Sequence, residues 1–366
     1  MSRATDLGIR IGALPPGPTG SILDVPGVGL GHATVWRDEP DPPAGRGIAR
    51  TGVTVVMPAA DVFARPVPAG GAVLNGAGEC TGFLTAKEWG LAETPVFLTS
   101  TMQVGRVYDA ACELLADAEP LIGEEVAIPV VAECDDSFLS DVRRMQVTKG
   151  DVAAAWAEAR ASVAAAVPPP EGSVGAGTGM SCLGFKSGIG TASRVVPSGH
   201  VIGVVLLTNF AGDDRSRLTV NGVPVGRLLG SAESGGPSQP AGSCIGVVVT
   251  NAPLDGASCA RLARRVGLGL ARVGSTANHG SGEIFLGMST GIRADRAGRL
   301  TGPQAVTGWD LDPLFTAVVD ATEEAVLNSL LASQTVVGRA GHTSEGLPAA
   351  EVRRLLVAHG QADGRD

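Results

Sequence analysis

The stretch Gly242-Ser243-Cys244-Ile245-Gly246-Val247-Val248-Val249-Thr250 decides the fold. Residues 231–242 in front of it form the only long low-complexity segment, which is typical of a functional loop, a disordered linker or a processing site. The β-branched run that follows predicts a buried strand over 245–250. A cut before Ser243 would leave a hydroxyl nucleophile and a free α-amine on one residue. On these residues alone, a linker that runs into a strand is the commoner interpretation.

Composition limits the classes of function. The chain has 366 residues, 44% of them hydrophobic, with 52 glycines and 24 prolines, so it can bury a large core as one or two α/β domains. The net charge of −9 argues against a nucleic-acid partner and suits a small cationic substrate. No apolar run is long enough to span a membrane, and the start has no secretory apolar region. These features predict a soluble, cytoplasmic protein without a membrane partner.

Cysteine and histidine positions argue against a metal site. No C-x-x-C or H-E-x-x-H pattern is present, so we expect free thiols, no metal and no cofactor. The cysteines are scattered at Cys80, Cys112, Cys134, Cys182, Cys244 and Cys259, and the histidines at His32, His200, His279, His342 and His359.

Hydrophobic patterning predicts alternating strands and helices. Apolar runs bounded by Gly, Pro, Asn or Asp predict strands at 53–57, 126–131, 201–207, 245–249 and 284–288. Helical patterns cover 104–118, 152–167, a segment after Asp255, and a segment from an N-cap at Asp312 to about Ala332. Because neighbouring strands often lack a helix between them, the pattern suits a layered α/β sandwich at least as well as a doubly wound sheet.

Two common enzyme motifs are absent. The segment 179–187 is similar to a phosphate-binding loop, but Phe185 separates the glycine from the lysine. No G-x-S-x-G nucleophile elbow is present. The usual nucleotide-binding and serine-hydrolase interpretations therefore fail.

Several segments, taken together and in order, resemble the DmpA-type aminopeptidases. This family comprises the L-aminopeptidase/D-esterases and β-peptidyl aminopeptidases and is related to the nylon-oligomer hydrolases. The resemblance covers nearly the whole chain. It is carried by Leu23–His32, Asn75-Gly76-Ala77-Gly78-Glu79, Phe185–Arg194, Thr208-Asn209-Phe210-Ala211-Gly212, Ser281-Gly282-Glu283-Ile284-Phe285 and Leu311–Ala325.

The resemblance implies a fold and a maturation step. Family members form a four-layer αββα sandwich that resembles the N-terminal-nucleophile hydrolases, and they are made as precursors that cut themselves before a serine or threonine. Carried onto this chain, the family implies a single domain over 1–366 that is cut between Gly242 and Ser243. The products are an α fragment, 1–242, and a β fragment, 243–366, assembled as a homo-oligomer of αβ units.

The resemblance also implies site residues. Ser243 is the nucleophile, supported by Ser281 and Glu283, whose i, i+2 spacing places them on one face of a strand. Asn209 is an oxyanion donor, and Glu133, at the end of the strand 126–131, binds the substrate ammonium. Without the family, a glycine-rich turn, a strand-ending asparagine and an acidic surface turn are the commoner interpretations.

Two positions depart from expectation. Some family members have an aromatic hydroxyl near the glutamate that helps to bind the oxyanion, but here the nearby residues are Asp135, Asp136 and Phe138, and the only tyrosine is Tyr108. The second oxyanion donor is therefore left open, with a backbone N–H as a candidate. Cys244 is expected to point to the opposite side of the strand from Ser243, into the core.

The resemblance implies a self-processing aminopeptidase. It would hydrolyse short peptides, amino-acid amides or esters with a free amino end through an acyl-enzyme on Ser243. Two alternatives stay open: an endo-type amidase on non-peptide oligoamides, as in the nylon-hydrolase branch, and an unprocessed homologue without activity. The choice among L-, D- and β-amino-acid substrates is not assigned.

Overall fold

The computed structural model describes residues 2–230 and 242–362. Ten strands precede the 231–241 gap: β1 (Gly29–Asp38), β2 (Ile48–Met57), β3 (Val67–Gly76), β4 (Leu91–Ala92), β5 (Val96–Ser100), β6 (Val130–Cys134), β7 (Ser181–Cys182), β8 (Phe185–Lys186), β9 (Ile189–Val195) and β10 (Val201–Thr208). Those after it are β11 (Cys244–Thr250), β12 (Gly282–Ser289), β13 (Arg293–Ala294), β14 (Leu300–Thr301), β15 (Val336–Val337) and β16 (Thr343–Ser344).

The α-helices of the described residues connect these strands and cover the sheets. They are α1 (Phe83–Trp89), α2 (Val104–Ala118), α3 (Lys149–Ala161), α4 (Val225–Leu229), α5 (Gly256–Val273), α6 (Asp312–Leu331) and α7 (Ala349–Ala358). No helix within these residues combines the length and apolarity that a membrane crossing requires.

Two larger sheets form the centre of the molecule. One has the order β1-β2-β5-β6, and the other has the order β4-β3-β12-β11-β10-β9. Most neighbouring strands are antiparallel, whereas β5 with β6 and β11 with β12 are parallel. The predicted strand after Ser243 is therefore a central strand, paired with β10 on one side and β12 on the other.

Three hydrophobic clusters show how the layers pack. The middle cluster joins the facing sides of the two sheets, with Leu98 from one and Val247 from the other. A second cluster packs α5 and α6 on the outer side of the six-stranded sheet, and a third packs α2 and α3 on the outer side of the four-stranded sheet. The order helix, sheet, sheet, helix confirms the predicted four-layer αββα sandwich.

Some predicted boundaries were wrong. The strand expected at 126–131 begins only at Val130, because Pro129 cannot donate to a ladder and Val126 is 79% exposed. The helix expected to reach residue 167 ends at Ala161. The N-cap of α6 is Leu311 rather than Asp312, because a 3-10 turn over Gly308–Leu311 leads directly into the helix.

Candidate active site

Ser243 lies directly before β11, at the end of the central strand, and is buried. Its hydroxyl oxygen accepts a hydrogen bond from the backbone N–H of Gly282 at 3.0 Å. Its carbonyl oxygen accepts from the backbone N–H of Asn209 at 2.9 Å. The two strands that flank β11 thus hold the candidate nucleophile through their backbones, Gly282 from β12 and Asn209 from the residue after β10.

Gly242 fits against Asn209 only because it has no side chain. A Cβ atom added to Gly242 would lie 1.9 Å from the carbonyl oxygen of Asn209 and 2.3 Å from its Nδ2 atom. Both distances are far inside van der Waals contact, so any other residue would displace this junction. The predicted cleavage bond is therefore packed directly against the predicted oxyanion donor.

Ser281 lies between the predicted cleavage bond and Glu283. Its hydroxyl group is within hydrogen-bond distance of the carbonyl oxygen of Gly242 and of Glu283 Oε1. The loop that carries Ser281 is tied to β3 by Asn75, whose Nδ2 donates to the carbonyl oxygens of Ser281 and, at 2.8 Å, of Asn278. The segment 75–79, noted in the sequence without a role, thus supports this loop.

Glu283 is fully buried at the start of β12. Burial raises the pKa of its carboxyl group, and the hydrogen bond with Ser281 opposes that shift. Among the described residues, Glu283 Oε2 has no hydrogen-bond partner. The neighbouring thiols of Cys134 and Cys244 add no charge beside this carboxyl group, because burial holds their pKa values well above the usual value. Burial without a partner for Oε2 disfavours the charged carboxylate.

The carboxamide of Asn209 has a defined orientation. Its Oδ1 accepts from the backbone N–H of Ser181 at 3.0 Å, and its Nδ2 donates to the carbonyl oxygen of Asp135 at 2.8 Å. Because an amide nitrogen carries two hydrogens, a second N–H remains available next to Gly242. An oxyanion formed at the Gly242 carbonyl could accept a hydrogen bond from this N–H group.

A buried lysine binds the peptide group that contacts the Asn209 amide. Lys186 is fully buried, and its Nζ donates to the carbonyl oxygens of Met180 at 2.7 Å and Gly177 at 3.2 Å. The Met180–Ser181 peptide is thus bound to Lys186 through its C=O and to Asn209 through its N–H. Burial lowers the pKa of Lys186 to about 7.

Glu133 lies near the end of β6, as expected, and is 3% exposed. Its Oε1 accepts from the backbone N–H of Glu79 at 2.9 Å, and its Oε2 accepts from the hydroxyl of Thr101. Burial raises the pKa of Glu133, and these two hydrogen bonds oppose the shift. Both carboxylate oxygens are therefore held in place by donors.

Gly78 connects Glu133 to the candidate nucleophile. A Cβ atom added to Gly78 would lie 3.0 Å from Glu133 Oε1 and 3.5 Å from the Cα atom of Gly282. Gly282 is the residue whose N–H donates to Ser243. The backbone of Gly78 and the start of β12 at Gly282 therefore lie between the Glu133 carboxylate and the Ser243 hydroxyl.

The structure brings all the predicted site residues to one region, and it adds groups that the sequence did not single out. These are the hydroxyl of Thr101, the side chains of Asn75 and Lys186, and the backbone N–H groups of Gly282, Glu79 and Ser181. Cys244 packs in the core between the six-stranded sheet and its helices, as expected. No cluster of three or more metal-ligating side chains occurs in residues 2–230 and 242–362.

Known proteins match the chain over nearly its whole length. The β-peptidyl aminopeptidase BapA of Sphingosinicella microcystinivorans is 37% identical over 372 aligned residues, which cover 97% of this chain and 91% of that protein. An uncharacterised aminopeptidase of Mycobacterium leprae is 28% identical and covers 88% of this chain and 92% of its own length.

Solved structures match the fold. A β-aminopeptidase of a Burkholderia species superposes with a TM-score of 0.87 at 38% identity, covering 98% of this chain and 99% of that one. The L-aminopeptidase D-Ala-esterase/amidase of Ochrobactrum anthropi, a serine aminopeptidase with a variant of the Ntn hydrolase fold, gives 0.89 at 33% identity, covering 99% and 100%. The model of peptidase family S58 matches residues 20–344. The chain therefore belongs to peptidase family S58.

Proposed function

We propose that this protein is a self-processing serine aminopeptidase. It cuts its own chain between Gly242 and Ser243 and then releases amino-terminal residues from short peptides, amides or esters. The observation that carries the proposal is the position of the Ser281 hydroxyl, which bridges the carbonyl oxygen of Gly242 and the carboxyl group of Glu283.

Self-cleavage follows from this arrangement. The Ser243 hydroxyl oxygen attacks the carbonyl carbon of Gly242, the C–N bond between the two residues breaks, and the hydroxyl proton passes to the released α-amine. Water then hydrolyses the ester, leaving Gly242 with a carboxylate and Ser243 with its hydroxyl restored. During both steps the negative charge on the former carbonyl oxygen faces Ser281, with the second amide hydrogen of Asn209 close by.

The single hydroxyl hydrogen of Ser281 determines the protonation state that Glu283 needs before self-cleavage. A serine hydroxyl has one hydrogen to donate, so Ser281 can donate to Gly242 only while Glu283 donates to Ser281. Glu283 must then be neutral, which agrees with its burial and with its unpartnered Oε2. The uncut chain thus has a continuous donor series from Glu283 through Ser281 to Gly242.

The mature site reverses this charge state. The new α-amine of Ser243 places a positive charge beside the Ser281–Glu283 pair, which favours the ionised carboxylate. The same amine, when neutral, takes the proton of the Ser243 hydroxyl as that hydroxyl attacks the substrate carbonyl. The leaving amine takes the proton back, and water releases the acyl group.

Glu133 gives the preference for a free amino end. Its carboxylate is buried, is aligned by two donors, and is linked through Gly78 to Gly282, whose N–H donates to Ser243. An ammonium group would pair with it, whereas a blocked amine would leave the carboxylate desolvated and unpaired. β-Amino-acid amides are the first substrates to test, because the β-peptidyl aminopeptidase and the β-aminopeptidase are each more than 35% identical to this chain.

Intact mass spectrometry of the purified protein tests the proposal. We expect two chains, the smaller beginning Ser-Cys-Ile-Gly, and hydrolysis of amino-acid amides but not of their N-acetyl derivatives. The Ser243→Ala variant should remain a single, inactive chain. A wild type that stays uncut yet hydrolyses amides would refute self-processing. Equal activity on N-acetyl substrates would instead favour an endo-type amidase.

A further inference from the structure

Thr101 contacts the carboxylate of Glu133, the group that binds the substrate ammonium in the proposed function. It directly follows β5, which pairs in parallel with β6 so that Thr99 lies opposite Glu133. From this position the Thr101 hydroxyl donates to Glu133 Oε2. Thr101 itself is exposed although Glu133 is buried, so its hydroxyl reaches the carboxylate from the solvent side.

The two donors to Glu133 differ in kind. Oε1 is held by the backbone N–H of Glu79, which every substitution of that residue except proline retains, and Oε2 is held by the side chain of Thr101. Together they fix both oxygens and leave their remaining lone pairs for a ligand. Thr101 is thus the side chain that can be changed to alter this carboxylate without altering Glu133.

The electrostatic surroundings oppose ionisation of Glu133. Burial raises its pKa most, and the carboxylates of Asp135 and Glu79 raise it further. The Thr101 hydroxyl and the Glu79 N–H act in the opposite direction. A hydrogen bond to an ionised acceptor is stronger than one between neutral groups, so losing either donor favours the neutral acid.

We propose that Thr101 is a positioning residue that keeps Glu133 ionised and oriented for the substrate ammonium. This inference rests on the proposed function, since it assigns Thr101 a role only in binding the free amino end. It assigns Thr101 no part in self-cleavage, because Thr101 acts on Glu133 and not on the Ser281–Glu283 pair.

Thr101→Val and Thr101→Ser test the proposal as a matched pair. Valine keeps the shape without a hydroxyl, and serine keeps the hydroxyl. For a β-amino-acid amide near pH 7 we expect valine to raise KM about tenfold with kcat within about threefold, and serine to stay close to wild type. The increase in KM caused by Thr101→Val should become smaller as pH rises, because Glu133 is ionised once the pH exceeds its raised pKa.

A double-mutant cycle with Glu133→Gln separates positioning from a general structural role. If Thr101 acts through Glu133, Thr101→Val has no further effect on KM when Glu133 is already glutamine. Additive effects, or a wild-type KM for Thr101→Val, would overturn the proposal. If valine prevents folding, Thr101→Ala enters the same cycle.

Self-cleavage is scored in every variant by intact mass. If a Thr101 variant folds but stays uncut, Thr101 also acts in self-cleavage, which contradicts the proposal that it acts only in substrate binding. An uncut wild type contradicts the proposed function instead, so the two failures are distinguishable.

Discussion

The backbone N–H of Gly282 donates to the hydroxyl oxygen of Ser243 at 3.0 Å. The proposed nucleophile is therefore placed by a main-chain group, whereas the Ser281 side chain contacts the carbonyl oxygen of Gly242. In the proposed mechanism, Gly282 places the attacking atom and Ser281 stabilises the oxyanion, so two consecutive residues have separate functions.

This separation predicts different outcomes for the two serines. Ser281→Ala keeps the Gly282 bond to Ser243 and removes one oxyanion donor, so self-cleavage should slow by about 10²–10³-fold without stopping. Ser243→Ala removes the attacking atom and should stop it. The uncut fraction, followed over days by denaturing electrophoresis, measures both. Equal, complete loss in the two variants would contradict separate roles.

Glu283→Gln should separate self-cleavage from substrate turnover. A glutamine amide can donate to Ser281 as the neutral acid does, so the variant should still be cut, within about tenfold of the wild-type rate. It cannot ionise, so hydrolysis of amides by the cut protein should fall by at least about 10²-fold. Glu283→Leu is the control without a donor; its self-cleavage should be slower than that of the glutamine variant but no slower than that of Ser281→Ala, because the Ser281 hydroxyl still contacts the Gly242 carbonyl. An uncut but folded glutamine variant would disprove the neutral state of Glu283.

Gly242→Ala should block maturation for a steric reason. The new methyl group would meet Asn209 at 1.9 Å and 2.3 Å, so the junction must shift away from the oxyanion donor. We expect self-cleavage to fall at least tenfold. Gly280→Ala is the control, because a Cβ atom there meets no atom within 4 Å. Normal cutting of Gly242→Ala would show that this close approach is not needed.

Asp136 should make stability depend on pH. It is 1% exposed, and burial raises its pKa to about 7. Because the folded state holds this proton more tightly than the unfolded chain, the stability it contributes at low pH is lost as pH rises through about 7. Asp136→Asn should therefore gain in unfolding free energy relative to wild type between pH 5 and 8, by on the order of 2 kcal/mol. Urea titrations measure it, with exposed Asp117→Asn as the control.

The helix over 104–118 was predictable because hydrophobic periodicity is local, whereas the four-layer αββα sandwich was implied by the family resemblance. Hydrophobic patterning misplaced the start of β6, because an apolar run such as 126–129 looks the same whether or not it pairs with a neighbour.

The site was predictable only in part. The family resemblance singled out Ser243, Ser281 and Glu283, which by themselves fit a linker and a glycine-rich turn, and the structure brings them together. The N–H groups of Gly282 and Glu79 were not predictable, because nearly every residue has such a donor and only the fold aims it. Thr101 lies 32 residues before Glu133, and the parallel pairing of β5 with β6 brings the two together.

The strand order of the six-stranded sheet has a consequence for the cut protein. The two long strands that follow residue 243, β11 and β12, lie between β10 and β3, which precede residue 242. The fragments would therefore be interleaved, and separating them would break two backbone ladders at once. Maturation would produce two polypeptides that unfold as one cooperative unit. Neither fragment has a complete six-stranded sheet of its own, so a refolding experiment on the separated pieces would be a bimolecular assembly whose rate depends on concentration.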